Sequence, residues 1–298
     1  MIKRILTIST SLLLSAGMIA CTTLSPSPIT NLDIQIYNPQ DKSLFPVTSS
    51  LITGPTEAIL IDAQFQNDDA QNLVRIIRDS GKQLTTIYIS HGDPDYYFGL
   101  DVLNSAFPKA RIVATPATVK KIAKTMTGKK SYWGPILKEN APQKLILPQA
   151  LNKDLLFIDG HSIEIIGFDG HDPAHTFAWI PSEKTALGGV LLSENMHIWM
   201  ADNKTTSSRK KWIKTLDNML SLNPERVIAG HYINQSKEDK SIIEFTKTYL
   251  KNFETANSNS SSSDELSKNM KALYPSDLDS GALEFSAKVV KGDVKWPQ

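Results

Sequence analysis

The sequence predicts an α/β fold, an αββα four-layer sandwich with helices on both outer faces of two stacked sheets. Two observations lead there. Strand-like apolar runs alternate with helical patterns along most of the chain. Three of the strands run out into loops that carry imidazole and carboxylate groups, the arrangement expected of a site built along one edge of the sheets.

Strand-like runs at 34–37, 49–52 and 58–61 come first. Residues 68–80 then place Leu73, Ile76 and Ile77 at helical spacing, and Gly81 supplies a stop. The strand 86–89 follows, then the strand 111–114, which leads through Pro116 into a helix carrying Val119, Ile122 and Met126. Further strands are predicted at 155–158, 163–166 and 177–180. The last of these pairs with 186–192 around Ser182-Glu183-Lys184. Ser207 and Ser208 are the candidate caps of a helix that presents Trp212, Leu216 and Met219 on one side. A strand at 226–229 and a helix at 242–253 close the main domain. Beyond it, 257–263 is a polar low-complexity run expected to be flexible. Residues 265–274 form an amphipathic helix with Leu266, Met270 and Leu273 in register, and 275–298 carries no usable motif.

The N-terminus reads as a targeting segment. Lys3 and Arg4 precede a mostly apolar run from Ile5 to Ala20, too short and too polar for a stable span. It ends at Cys21, the one cysteine of the chain, in the pattern of a bacterial lipoprotein signal. The expected organisation is a signal peptide over 1–20, a tether over 21–32, a main domain over 33–255, and a flexible linker with a C-terminal extension over 256–298. The expected location is the cell envelope, with a lipid on Cys21 holding the protein to a membrane, on the periplasmic face of the outer membrane. Without lipidation of Cys21 it is periplasmic. With no second cysteine the exported domain has no disulfide.

The full chain has 32 basic and 31 acidic residues. Removing Lys3 and Arg4 leaves 30 basic against 31 acidic residues, a net charge of −1. The pairs Lys120-Lys121 and Lys129-Lys130 and the run Arg209-Lys210-Lys211 are too short for a nucleic-acid surface, and are expected to be solvated helix faces. The expected partner is a small-molecule substrate.

The chemistry concentrates in three segments. Ser90-His91-Gly92-Asp93-Pro94-Asp95-Tyr96 follows the strand 86–89, Gly170-His171-Asp172-Pro173-Ala174-His175 follows the strand 163–166, and Gly230-His231 follows the strand 226–229. Four of the six histidines therefore sit at three strand-to-loop junctions. Imidazole with carboxylate is the usual donor set for zinc, manganese or ferrous iron. Gly-Asp-Pro-Asp is also good turn chemistry, so the first segment alone would not decide between a site and a turn.

The order of these motifs resembles the metallo-β-lactamase-fold hydrolases, over roughly residues 33–232. That family carries H-x-H-x-D-H after one strand, a Gly-His motif, a bridging Asp in a Gly-Asp pair, and a final Gly-His. Here the counterparts are His91-x-Asp93-x-Asp95-Tyr96, Gly170-His171 and Gly230-His231, with the early strand ending at Asp62. The second histidine of the first motif is replaced by Asp93 and the fourth ligand by Tyr96, while Gly189-Val190 stands where Gly-Asp is expected. Valine cannot bridge two cations, so the resemblance implies one tightly held ion. His91, Asp93 and His171 are the implied ligands, with Asp95 and His231 where the family places a second ion. Asp95 would orient or deprotonate the bound water. His231 would be a weak ligand or proton donor, and Tyr96 a hydrogen-bond donor to a substrate oxyanion.

The expected activity is metal-activated hydrolysis of an ester, lactone, amide, thioester or phosphoester. The expected cofactor is zinc, and iron or manganese suits the same donors. Two alternatives stand beside it: a non-haem iron oxygenase of the same fold, and a catalytically silent binding protein. The remaining candidates read more simply. His175 is an alternative ligand or a supporting group, His161 an exposed turn residue, and His197 a packed histidine or a cleft wall. Tyr96, Tyr97, Trp133, Trp199 and Trp212 either shape a pocket or pack in the core.

Overall fold

The computed structural model describes residues 31–168, 175–276, 278 and 280–296. Residues 1–20, expected to be a signal peptide, Cys21 and His171 lie outside them. The first sheet contains β1 (Asp33–Tyr37), β2 (Ser49–Thr53), β3 (Glu57–Ile61), β4 (Gln83–Ile89), β5 (Arg111–Ala114) and β6 (Gln149–Ala150), in that spatial order. Its first three strands are antiparallel neighbours, and β3 through β6 run parallel. Parallel neighbours need crossover connections. These are α1 (Asn67–Asp79), then α2 (Pro94–Tyr97) with α3 (Leu100–Ala106), then α4 (Pro116–Leu137).

The second sheet contains β7 (Leu155–Ile158), β8 (His161–Ile166), β9 (Phe177–Ile180) and β10 (Thr185–Leu187). After β11 (Ser193–Glu194) and α5 (Thr206–Ser221), β12 (Arg226–Val227) joins its edge, giving the order β12-β10-β9-β8-β7. Then β13 (His231–Tyr232) pairs in parallel with β11. Three further helices follow: α6 (Ser241–Asn259), α7 (Ser263–Leu273) and α8 (Ser280–Lys291).

Side chains on successive strand positions face opposite ways, and this separates three apolar layers. Ala58 and Leu60 of β3 and Ile87 and Ile89 of β4 pack with Leu73 and Ile77 of α1, Leu103 of α3 and Ile122 of α4. Their neighbours Ile59, Ile61 and Tyr88 face Ile163, Ile165, Ala178 and Ile180 of the second sheet. On the far side, Phe177, Trp179 and Ala186 meet Trp212 and Leu216 of α5 and Tyr249 and Phe253 of α6. Helices, sheet, sheet and helices follow in turn, which is the expected αββα sandwich. Burial on both faces explains why β3 and β4 read as near-continuous apolar runs.

Several local expectations change. Thr205, not Ser207 or Ser208, caps α5, its side chain accepting from the Ser208 backbone N–H. The strand expected over 186–192 ends at Leu187, where Gly188 and Gly189 take positive φ of 87° and 80° and turn the chain away. The turn Asp159-Gly160 closes the β7–β8 hairpin, but His161 begins β8 and is buried, its Nδ1 3.1 Å from Ser182 Oγ. Nor is residue 256 a break in the packing. Helix α6 runs on to Asn259, and Leu266, Met270, Leu283 and Ala287 of α7 and α8 complete the same core as Trp212 and Phe253. Ser260 and Ser263, in the stretch expected to be flexible, are buried.

At the edge where the junctions meet, Gly230 passes against the loop after β10. A Cβ on Gly230 would lie 1.9 Å from the Gly189 carbonyl oxygen, a backbone atom that cannot swing aside. Gly128 in α4 has nothing within 4 Å of the same position. Gly230→Ala should therefore lower unfolding free energy by about 2 kcal/mol or more. Gly128→Ala should leave it unchanged or raise it by up to about 1 kcal/mol. Urea unfolding of both variants checks this.

Candidate active site

The floor of the site is Asp62, which follows β3 in the left-handed region with φ 65° and is fully buried. Its carboxylate accepts from the Ser90 backbone N–H and hydroxyl at 2.8 Å, and from the Gly189 N–H at 3.4 Å. The end of β4 and the loop after β10 are thereby fixed to one point. Burial pushes the Asp62 carboxyl up to about 7, with a further rise from Asp95, against the lowering effect of the Ser90 and Gly189 hydrogen bonds.

The loop that leaves β4 carries His91 and Asp93. His91 is buried, and its Nδ1 lies 3.3 Å from Asp93 Oδ2 without hydrogen-bond geometry. Burial holds this imidazole well below its ordinary pKa and keeps it neutral. Two ammoniums from α4 close on Asp93. Lys129 Nζ makes an ion pair with Oδ1 and donates to the Gly92 carbonyl at 3.3 Å, and Lys121 Nζ lies 3.4 Å from the same Oδ1. Burial opposes ionisation of Asp93, but Lys121 and Lys129 outweigh it and hold the carboxyl well below the usual carboxylate range. These lysines are not the solvated helix face that was expected, and Arg209 is not either. Arg209 is buried, pairs with Glu254 and donates to the Asn203 carbonyl at 2.7 Å.

The third junction meets the first at Asp95, where His231 Nε2 lies 3.2 Å from Asp95 Oδ2. The Tyr96 ring stands edge-on to both imidazoles, 5.3 Å from the His91 centroid and 5.7 Å from that of His231. Its hydroxyl is buried and has no hydrogen-bond partner among the described residues. Burial first, then Asp95 and Asp62, raise this phenol well above its ordinary pKa, so it keeps its proton. The residues between Asp93 and Phe98 are thus a short helix with a polar rim, not a bare turn. Tyr97 is buried in the layer beneath.

Of the second junction, His171 lies outside the described residues. His175 is buried against Trp212, with ring centroids 4.3 Å apart, and its Nε2 is 3.5 Å from Asn203 Nδ2. His197 packs internally, its Nδ1 3.0 Å from the Tyr249 hydroxyl. Trp133 packs edge-on to Phe45 and Phe65, and Trp199 stacks on Phe285. The structure adds residues that the sequence did not single out. Lys121 and Lys129 are about two helical turns apart, so both project to the same side of α4. That spacing was visible, but the loop they cover was not. Asp202 accepts from Trp199 Nε1 at 2.7 Å and Trp296 Nε1 at 2.9 Å. Its carboxyl is raised by burial and by Asp93, and lowered by Lys121.

Asp62 gives the site a pH signature. Its folded pKa of about 7 exceeds the ordinary value of 3.8, so the folded state holds a proton that the unfolded chain releases. Stability from this group is present below about pH 4 and falls as pH rises to about 7, by on the order of 2–4 kcal/mol. Asn keeps an amide oxygen for the Ser90 N–H and hydroxyl, gives up only the long bond from the Gly189 N–H, and tolerates the positive φ. Asp62→Asn should flatten the slope of unfolding free energy between pH 4 and 7 relative to wild type. Parallel curves for the two proteins would contradict the assignment.

The family model described as the metallo-beta-lactamase superfamily matches residues 43–231. No curated protein matches the chain. Solved structures share the fold at low identity. A metallo-beta-lactamase family protein of Thermus thermophilus is 16% identical with a TM-score of 0.60, over 87% of this chain and 93% of that one. A metallo-beta-lactamase from Pontibacter korlensis is 15% identical with a TM-score of 0.54, over 74% of this chain and 100% of that one. A metallo-beta-lactamase from Hirschia baltica is 15% identical with a TM-score of 0.51, over 74% and 92%. With Asp62 just after β3, the His91–Tyr96 loop after β4 and the Gly230-His231 junction converging at one edge of an αββα sandwich, the chain belongs to the metallo-beta-lactamase superfamily, whose members are generally metal-dependent hydrolases.

Proposed function

We propose that the protein is a metal-dependent hydrolase of an ester, lactone, amide, thioester or phosphoester, with one ion, zinc by preference, held on the Asp95–His231 side of the cleft. The observation that carries this reading is the 3.2 Å approach of His231 Nε2 to Asp95 Oδ2, two donors from distant parts of the chain. Among the described residues no group of three or more His, Cys, Asp or Glu side chains could hold a metal ion, and the donors come in two pairs. At His91–Asp93 the carboxylate already faces two ammoniums, and a cation there is disfavoured. At Asp95–His231 a carboxylate and an imidazole stand beside the unpartnered Tyr96 hydroxyl, and this chemistry suits an ion.

A bound zinc supplies a polarised substrate oxygen and a water whose pKa falls to about 7. The chain supplies the surroundings. Tyr96 is a protonated phenol with no partner among the described residues, so it can donate to the oxygen on which negative charge develops. His91 is a neutral imidazole that adds no repulsion to a cationic site. The Asp95 and His231 side chains are each only 14% exposed, which limits the water that competes for their oxygen and nitrogen donors.

An envelope location, with the protein anchored through a lipid on Cys21, belongs to the same reading. It rests on Lys3, Arg4, the apolar run after them and Cys21, all outside the described residues. Among the described residues no helix is long and apolar enough to cross a membrane. Fatty-acid labelling in cells should mark the wild type and miss Cys21→Ala. Equal labelling of both would contradict the anchor.

Loaded with zinc, the wild type should bind one ion per chain and turn over at least one member of a panel of esters, lactones, β-lactams and phosphodiesters. Asp95→Asn and His231→Ala should each lower kcat/KM by about 100-fold or more. Two tightly bound ions per chain would contradict the one-ion reading. Binding without turnover on any member would leave a silent binding module. Iron in the purified protein, with oxygen uptake on a thiol substrate, would favour the oxygenase.

A further inference from the structure

The clamp on Asp93 is built from several sides. The Lys121 stem lies against Gly92, where a Cβ would come within 2.8 Å of the lysine Cδ, so the absence of a side chain at residue 92 makes room for it. Lys129 is tied to the Gly92 carbonyl as well as to Asp93. The Asp93 and Lys129 side chains are 16% and 19% exposed, and Lys121 33%, so the ion pairs are partly shielded from solvent. A metal ion on Asp93 would have to approach an oxygen already shared by two positive charges, and in this partly desolvated setting the repulsion is poorly screened.

We propose that Lys121 and Lys129 together are the resident cation of Asp93, so that this carboxylate takes no metal ion in the native protein. An ammonium does not dissociate as an ion does, so the negative charge of Asp93 stays compensated whatever the metal supply. The lysines and Asp93 are then positioning residues. They hold the Gly92–Asp93 backbone against α4, and with it His91 at 3.3 Å from the Asp93 carboxylate. The inference does not depend on an ion at Asp95 and His231, since it concerns what Asp93 binds.

The test is zinc content per chain after equilibration in zinc buffer. Melting temperature is recorded with zinc and with chelator, for wild type, Asp93→Asn and the double variant Lys121→Met with Lys129→Met. Asp93→Asn should hold as much zinc as wild type, because Asp93 is not a ligand. The double variant should melt lower than wild type in chelator, its carboxylate having lost both partners. It should bind about one more zinc per chain than wild type and regain stability when zinc is added. Loss of zinc in Asp93→Asn would overturn the proposal, and so would a folded double variant with unchanged zinc content and no zinc-dependent rise in melting temperature. If the double variant does not fold, Lys129→Met alone, which keeps one ammonium, is read for the same gain. A wild type that binds no zinc would remove the hydrolase reading while leaving the zinc gain of the lysine variants to decide this one.

Discussion

The Asp62 carboxylate is the constraint on which the site depends. It accepts from the end of β4 and from the loop after β10 together, through Ser90 and Gly189. The rest follows by contact. Ser90 fixes where His91 and the short helix α2 begin. Gly189 fixes the surface against which Gly230 must pass without a side chain, and so fixes His231. The backbone adds its own ties, with the Thr48 N–H donating to the Gly230 carbonyl at 2.8 Å and the Gly230 N–H to the Leu192 carbonyl at 3.1 Å. A buried carboxylate is unfavourable when ionised, and here its donors are backbone N–H groups and a hydroxyl, with no ammonium among them. That is consistent with a group that ties loops together and titrates near neutrality.

The charges around the cleft sort into two regimes. Around Asp93 the cations are covalently part of the chain. Around Asp95 the basic group at hand is His231, and among the described residues the nearby Tyr96 hydroxyl has no partner. The replacement of a histidine by Asp93 therefore does more than change one donor for another. A carboxylate recruits lysines in a way that an imidazole would not, and α4 supplies two of them. Asp202, bonded by Trp199 and Trp296, extends the same network to the C-terminal segment, which packs into the core and is not a detached tail.

Much of the fold was legible because its signals are local. β3 and β4 are continuous apolar runs between turn residues, α1 stops two residues short of Gly81, and Pro116 after Thr115 marks the start of α4. The three junctions were legible because histidines are few and each followed a strand. What the sequence hid was tertiary. His161 sits in a turn-like Asp-Gly context, yet the hairpin buries it beside Ser182. The lysines of α4 look like a solvated face until the helix is laid across the Gly92 loop. The polar run after residue 256 looks flexible by composition, while its serines lie at the end of α6 and the start of α7. The extent of β10 was overestimated because Val190, Leu191 and Leu192 are apolar in a loop that the two glycines before them have already turned.

Anomalous scattering at the zinc edge from crystals grown with zinc tests the ion's position most directly. A single peak is expected at about 2 Å from Asp95 and His231, with the Lys129 ammonium still on Asp93. A peak shared by His91 and Asp93, with the lysines displaced, would contradict this placement.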